Sequence, residues 1–126
     1  MTVPLVIVDG ANVVGSVPDG WWRDRAAAAV RLRDALAPVL VTGLTDLPGP
    51  VSVALVVEGR ARDIPGVPGG VDVVPAAGSG DDTIADLARA EAGSRRVVVV
   101  TADRGLRDRV IAAGAEVRGP TSVPRR

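Results

Sequence analysis

The chain has 126 residues with no cysteine and no histidine, and its 15 basic and 15 acidic residues give a formal net charge of zero. This length supports one hydrophobic core and hence one domain. The composition excludes disulfides, thiolate or imidazole metal ligands and an imidazole general base. Because every basic residue is an arginine, it also excludes Walker-type phosphate loops and Schiff-base chemistry. Any metal ion must be held by oxygen, and the net charge neither favours nor excludes a nucleic-acid partner.

The first half of the chain predicts two buried strands and one helix. Residues 3–8 form an apolar run that is typical of a strand in a parallel sheet. Residues 22–40 carry apolar side chains at helical spacing, so we predict a helix there with Asp19 as its candidate cap and Pro38 as a position where it could kink or end early. Residues 51–57 predict a second strand, and residues 59–70 read as a surface loop rich in Arg, Pro and Gly.

The second half predicts three short strands, at residues 71–74, 97–101 and 116–118, separated by helices that begin near Asp81 and Leu106. Strands that alternate with helices at this spacing indicate a parallel sheet covered on both faces. We therefore expect an α/β fold with a mostly parallel sheet of four to five strands.

We assign residues 1–119 to a single domain and residues 120–126 to a short basic C-terminal tail, which we expect to be frayed from Thr121 onwards. The N-terminus lacks the basic segment of a secretion signal, and no apolar run is long enough to span a membrane. We therefore expect a cytoplasmic protein with no membrane partner.

Four aspartates stand at strand ends or helix starts: Asp9 after the first strand, Asp81 and Asp82 at the start of the middle helix, and Asp103 after the 97–101 strand. In a parallel sheet these positions share the carboxyl edge, where ligands bind. Clustered carboxylates repel one another unless a cation neutralises them, and a site made only of oxygen suits Mg²⁺ or Mn²⁺. Each aspartate alone could equally be a helix cap or turn residue, but their coincidence favours a metal site. Asn12 is a candidate to touch phosphate or a bound water, or simply a local turn residue.

Three motifs carry these residues: VDGANVV at residues 8–14, GDDTIA at residues 80–85 and VVTADR at residues 99–104. In this order and spacing they resemble the motifs of NYN domains, which are PIN-like nucleases, and especially those of the YacP-like branch. No single motif is very specific, whereas the ordered set is. The resemblance implies a PIN-like three-layer α/β/α sandwich.

The same resemblance implies a metal-dependent endoribonuclease that hydrolyses RNA phosphodiester bonds. It transfers catalytic roles to Asp9, Asp81 and Asp103, and metal-binding roles to these three and Asp82, with Mg²⁺ or Mn²⁺ as the cofactor. Asp82 competes with Asp81 for one family position, and Ile84, three residues after Asp81, favours Asp81.

The chain also departs from the family pattern. Many PIN relatives have a further acidic residue two positions after the last motif aspartate, where this chain has Gly105. Many also carry one on a helix in the first half. Asp24, Glu58 and Asp108 are candidates for the missing charge, and none fits well. We expect the remaining three-carboxylate site either to bind one metal ion weakly or to be inactive.

Arginines near the motifs are candidate phosphate ligands. Arg104, Arg107 and Arg109 closely follow the last motif aspartate, and Arg60 and Arg62 lie in the loop after the second strand. Each taken alone is more typical of a solvated surface charge. We choose Arg104 and Arg107 as substrate-binding residues, with Arg104 the stronger candidate.

The two tryptophans open the first predicted helix near Asp9. One of them could stack on a base, as in proteins that read single-stranded nucleic acids. We predict that Trp22 lies inside the protein as an anchor, and that Trp21 is partly exposed and contacts substrate.

Two other hydrolase families match less well. A Toprim-like fold would explain Glu58 and Gly59 after the second strand, but it needs an Asp-x-Asp after a later strand, and Gly105 stands where the second aspartate should follow Asp103. A small-molecule phosphatase of the α/β type needs a second aspartate two residues after Asp9, where this chain has Ala11.

A further alternative is a catalytically inactive RNA- or ribosome-binding module, or another partner-binding protein, that keeps the PIN-like fold. The missing fourth acidic residue favours it. The sequence leaves open the class of RNA, whether a ribosome presents it, and whether the chain forms a homodimer.

Overall fold

The structure is a computed structural model that describes residues 2–125 of the chain. These residues contain seven strands and five α-helices, in the order β1 (Leu5–Asp9), α1 (Gly10–Gly15), α2 (Arg25–Leu36), α3 (Val39–Thr42), β2 (Gly43–Leu44), β3 (Leu47–Pro48), β4 (Ser52–Val57), β5 (Asp72–Pro75), α4 (Gly80–Glu91), β6 (Val97–Val100), α5 (Arg104–Ala112) and β7 (Glu116–Arg118). Three short 3₁₀ helices cover Trp21–Arg23, Gly59–Ala61 and Pro120–Ser122.

Five strands form one parallel sheet in the order β5-β4-β1-β6-β7, and β2 and β3 make a separate antiparallel pair. Strand β1 lies in the centre, where Val8 pairs with Leu55 of β4 on one side and Val100 of β6 on the other. The chain leaves β1 in one direction to reach β4 and later crosses to β6 on the other side. The ends of β1 and β6 therefore lie at the switch point of the sheet, where ligands bind in folds of this type.

The sheet separates two hydrophobic cores because successive side chains of a strand point to opposite faces. Val6 and Val8 face the core that α1, α2 and α3 cover, whereas Leu5 and Ile7 face the core that α4 and α5 cover. Aliphatic side chains fill both cores. The predicted three-layer α/β/α sandwich with a parallel sheet is confirmed.

The helix predicted over residues 22–40 is present but shorter than predicted, because α2 covers only Arg25–Leu36. Helix α2 begins only after Asp24, whose Oδ1 accepts a hydrogen bond from Ala27 N at 3.0 Å, so Asp24 and not Asp19 is the cap. The helix ends at Leu36, and Pro38, which has no N–H to continue the ladder, precedes the separate short helix α3. Helix α1 was not predicted, because six residues are too few to show a helical period.

The C-terminal segment is ordered as far as Arg125, so the prediction that the chain frays from Thr121 is wrong there. Val123 is buried in the core beneath α1 and α2, and Arg125 Nη1 lies 3.4 Å from Ser16 O. A single buried valine was not a recognisable signal in a short segment rich in Arg and Pro. Arg126, the last residue of the predicted tail, lies outside the described residues. No helix within residues 2–125 has the length and apolar character needed to cross a membrane.

Gly10, the first residue of α1, permits this helix to pack tightly on β4. A Cβ atom at Gly10 would lie 2.5 Å from the backbone oxygen of Val56, which cannot move without disturbing the sheet. We expect Gly10→Ala to lower the free energy of unfolding by about 1–3 kcal/mol, as overpacked core substitutions do. Urea titration followed by tryptophan fluorescence would measure it.

Gly15, at the other end of α1, provides the matched control. A Cβ there would approach nothing closer than a Trp21 ring carbon at 3.8 Å, so Gly15→Ala should be neutral or slightly stabilising. Equal destabilisation by the two substitutions would show that the close approach of Gly10 to Val56 does not matter.

Candidate functional site

Four carboxylates line one open crevice of about 360 Å³ at the carboxyl edge of the sheet. They reach it from different elements: one ends β1, one follows β4, one lies in the first turn of α4 and one caps α5. The lining residues are Asp9, Ala11, Asn12, Glu58, Ser79, Asp81 and Asp103. The structure therefore brings together the three aspartates that were predicted as catalytic, and it adds a glutamate.

Asp9 is the buried member of this group, with only 6% of its surface exposed. Its Oδ2 accepts a hydrogen bond from the Thr101 hydroxyl at 2.9 Å, and its Oδ1 accepts a longer one from Asn12 N at 3.4 Å. Burial raises the pKa of Asp9 to about 6, because these two hydrogen bonds only partly offset the loss of water. The nearby charges of Asp81 and Glu58 raise it further.

Two side chains connect the turn after β1 to the turn after β6. Thr101 Oγ1, which donates to Asp9, accepts a hydrogen bond from Asp103 N at 3.1 Å. Asn12 Oδ1 accepts one from Ala102 N at 2.8 Å. Asn12 thus has a positioning role that the sequence did not indicate, and its role as a substrate contact stays a prediction. Thr101 was missed, although a hydroxyl residue two positions before a motif aspartate was the available signal.

Glu58 supplies a fourth carboxylate. In the sequence, Glu58 is only a poor candidate for the acidic residue that the family pattern has and this chain lacks. It nevertheless lies in the crevice, because it follows β4 and β4 is the neighbour of β1 in the sheet. Its Oε2 accepts a hydrogen bond from Gly80 N at the start of α4. A Cβ atom at Gly80 would lie 2.9 Å from that oxygen, so the absence of a side chain lets the carboxylate approach the helix.

Asp81 lies in the first turn of the same helix, where Ser79 is the cap and its Oγ accepts a hydrogen bond from Asp81 N at 3.1 Å. Partial burial raises the pKa of Asp81, and the negative charges of Asp103 and Glu58 raise it further. The positive end of the helix dipole is a favourable place for these carboxylates. Their mutual repulsion nevertheless remains.

Asp103 combines two roles. Its Oδ1 caps α5 by accepting a hydrogen bond from Leu106 N at 2.9 Å, and its carboxylate still lines the crevice. The sequence left open whether such an aspartate is a cap or a site residue, and here it is placed to be both.

Asp82, which was predicted as a metal ligand, is not brought to the crevice. Its side chain is 71% exposed, and its Oδ1 forms an ion pair with Arg109 Nη2 at 3.0 Å. Consecutive helical residues point about 100° apart, so only one of Asp81 and Asp82 can face the crevice. The structure selects Asp81.

The donor atoms of the crevice suit a hard cation, but they do not form a closed site. Within residues 2–125, no group of three or more acidic side chains is arranged to hold a metal ion. Mg²⁺ is commonly bound by one or two carboxylates, with water and substrate phosphate completing its coordination. An open site of that kind would suit these residues, since a cation there would offset the negative charges that help to raise the pKa values of Asp9 and Asp81.

Arg104 and Arg107, the predicted phosphate ligands, are exposed at the start of α5, next to Asp103. Neither lines the crevice itself. Their side chains make no ion pair or hydrogen bond with any other residue from 2 to 125. Both guanidinium groups are therefore available beside the carboxylates.

The prediction that Trp22 lies inside the protein is wrong, whereas Trp21 is partly exposed as predicted. Trp22 is 56% exposed, whereas Trp21 is partly buried and lines a cavity of about 250 Å³ beside the crevice. The two residues begin a 3₁₀ helix rather than α2, so the helical spacing from which their orientations were predicted does not apply. Trp21 still adjoins the crevice, and its contact with substrate stays a prediction.

Solved structures share this fold. The crystal structure of Rae1 (YacP) from Bacillus subtilis superposes with a TM-score of 0.71 at 20% sequence identity, covering 97% of this chain and 71% of that one. A tryptophan-to-leucine mutant of Rae1 gives a TM-score of 0.73 at 18% identity, covering 94% and 70%. No protein-family model matches the sequence, and no curated protein matches it significantly. The likeness establishes a YacP-like, NYN-type fold, and at this identity it establishes the fold alone.

The raised pKa of Asp9 predicts how stability depends on pH. Its pKa is about 6 in the folded protein against an ordinary 3.8, so between these values the folded state binds the proton more tightly than the unfolded state. The free energy of unfolding should therefore fall as pH rises through this window, by up to about 3 kcal/mol. Asp9→Asn has no charge to lose and keeps an acceptor for Asn12 N. In EDTA it should be more stable than the wild type at pH 8, and this difference should vanish near pH 4.

Asp63→Asn is the control, because Asp63 is an exposed loop residue outside the crevice. It should leave the pH profile of the wild type unchanged. If the wild type were as stable as Asp9→Asn in EDTA at pH 8, burial of an ionised Asp9 would carry no cost and the prediction would fail.

Proposed function

We propose that this chain, whose fold is that of the YacP-like NYN domains, is a divalent-metal-dependent endoribonuclease that hydrolyses RNA phosphodiester bonds. One observation carries the proposal: Asp9, Glu58, Asp81 and Asp103 converge at the switch point of a parallel sheet. The likeness of the three sequence motifs to those of NYN nucleases supports the assignment of RNA as substrate.

Asp9, Asp81 and Asp103 line the crevice in which the cation would sit, with one or two of them as direct ligands and water and substrate phosphate as the others. Glu58 would add negative charge from its place at the start of α4. A bound Mg²⁺ or Mn²⁺ would lower the pKa of a coordinated water and stabilise charge on the scissile phosphate. In the reaction water adds to phosphorus, the bond to the leaving ribose oxygen breaks, and that oxygen takes up a proton. Arg104 and Arg107, which lie at the start of α5, would neutralise phosphates that flank the cut.

The second candidate is an inactive RNA- or ribosome-binding module. It is favoured by the lack, within residues 2–125, of three acidic side chains arranged to hold a metal ion. A scaffold has no need of a cation, so the two candidates differ in Mn²⁺ uptake, which calorimetry measures directly.

Mutation of the crevice provides the main test. Asp9→Asn/Asp103→Asn preserves the caps of α1 and α5, because asparagine caps helices as well as aspartate does. We expect wild-type protein to cleave single-stranded RNA in Mn²⁺ or Mg²⁺ but not in EDTA, and the double variant to be slower by on the order of a hundredfold or more. Gel analysis of a mixed set of single-stranded and structured RNAs would measure this.

Asp82→Asn is the matched control, since Asp82 neighbours Asp81 but pairs with Arg109 outside the crevice. It should cleave like the wild type. Absence of cleavage under every condition, together with no Mn²⁺ uptake, would refute the nuclease and support the binding module.

Glu58 gives an independent prediction. Glu58→Gln keeps an acceptor for Gly80 N and removes only the charge. If Glu58 acts with the aspartates, its loss should weaken Mn²⁺ binding and cleavage by about tenfold to a hundredfold, as the loss of groups that support metal ligands does. Calorimetry and initial rates at saturating Mn²⁺ would separate the two effects. Wild-type rates and Mn²⁺ affinity in Glu58→Gln would mean that the three aspartates suffice.

A further inference from the structure

A third open cavity, of about 460 Å³, lies beside Trp22 and is lined by three arginines. We define the Trp22 patch as Trp22, Arg23, Arg25 and Arg60. The exposure of Trp22 is unusual in a chain with only two aromatic residues, because a large apolar ring normally contributes more to stability when it is buried. Asp24 also lines the cavity, and its side chain caps α2 by accepting a hydrogen bond from Ala27 N.

Three arginines against the single carboxylate of Asp24 leave the lining of this cavity with a net positive charge. Within residues 2–125 their side chains form no ion pair, whereas on the other side of the fold Arg96 pairs with Glu116 and Arg118 with Asp46. Two patch arginines lie near the indole rings instead. The Arg23 guanidinium is 5.9 Å from the Trp22 ring centroid, and that of Arg25 is 5.5 Å from the Trp21 centroid. The patch thus combines planar aromatic surface with free cations.

The patch is continuous with the carboxylate crevice. Its cavity shares Arg25 with the cavity that Trp21 lines, and the Trp21 cavity shares Ala11 and Glu58 with the crevice. A flexible chain could therefore pass from the patch through the Trp21 cavity to Asp9 without leaving the surface. The walls change along this path from cationic and aromatic to acidic.

We propose that single-stranded RNA binds along this path, with phosphates on Arg23, Arg25 and Arg60 and a base stacked on Trp22. Base stacking on an aromatic ring combined with phosphate contacts is how single strands are held, and it requires bases that are not paired in a duplex. The inference rests on the proposed function in one respect, because it takes the RNA strand guided into the crevice to be the RNA that the nuclease cuts. Binding itself needs neither metal nor cleavage.

Binding in EDTA tests the patch apart from catalysis. Anisotropy of a labelled single-stranded 12-nucleotide RNA would be followed for wild type, Trp22→Leu, Trp22→Phe, Arg23→Gln/Arg60→Gln and Arg31→Gln. Arg31 is an exposed arginine of α2 outside the patch and provides the control. We expect Trp22→Leu to bind about tenfold more weakly and Trp22→Phe, which keeps an aromatic face, to restore most of the affinity. The double arginine variant should reduce the slope of log K against log salt by about 0.7 for each phosphate that is no longer neutralised.

Several outcomes would overturn the inference. They are wild-type affinity and salt dependence in the patch variants, equally weakened binding in Arg31→Gln, and duplex RNA bound as tightly as the single strand. Equal binding of single-stranded DNA would overturn the assignment to RNA. Thermal melting of each variant excludes misfolding as the cause of weaker binding.

Failure of the patch and failure of the nuclease are distinguishable. RNA cleavage with unchanged KM in the patch variants would reject the patch and keep the nuclease. Patch-dependent binding by a wild-type protein that never cleaves RNA would keep the patch and reject the nuclease.

Discussion

The hydrogen bond from the Thr101 hydroxyl to Asp9 is the contact on which the site depends, because it joins the carboxyl ends of the two central strands. The parallel register pairs Val8 with Val100, so Asp9, the last residue of β1, lies beside Thr101, which directly follows β6. A buried carboxylate needs donors, and Thr101 supplies one while also accepting from the backbone of Asp103. The sheet and this hydrogen bond together fix Asp9 and Asp103 relative to each other. The fold itself therefore brings the carboxylates of Asp9 and Asp103 together at the carboxyl edge of the sheet.

This convergence is costly, and the fold offsets the cost elsewhere. Burial raises the pKa of Asp9, and the other carboxylates add repulsion. The opposing contribution comes from a sheet whose central strands are buried on both faces by aliphatic side chains. Two glycines help in different ways: Gly10 lets α1 pack against β4, and Gly80 lets Glu58 reach the start of α4. Destabilising charge gathered at the edge of a sheet with a well-packed interior is typical of functional sites.

The sequence alone was enough to predict the site residues whose positions depend only on where the strands end along the chain. Asp9 and Asp103 follow apolar runs, and any parallel sheet places such residues at one edge. Glu58 could not be assigned in this way, because its position depends on β4 lying next to β1, which is a tertiary fact. Choosing between Asp81 and Asp82 required knowledge of which side of α4 faces the crevice, and the sequence does not show this. The exposure of Trp22 was not predicted, because α2 begins only after its cap Asp24 and Trp22 lies outside it. The burial of Val123 was not predicted, because a single buried residue has no periodicity.

The net charge of zero is a sum over two surfaces that differ in whether their charged side chains are paired. Arg96 and Arg118 are paired with Glu116 and Asp46 around β7, so that region presents little field. Near the crevice, by contrast, the acidic groups face one another, and the arginines on either side of them are unpaired within the described residues. At physiological salt a charge is felt over only about 8 Å, so an approaching polyanion responds to these local groups and not to the sum over the chain. A neutral protein can therefore guide a phosphate backbone towards a carboxylate cluster, provided that the cations flank the cluster and a divalent ion occupies it.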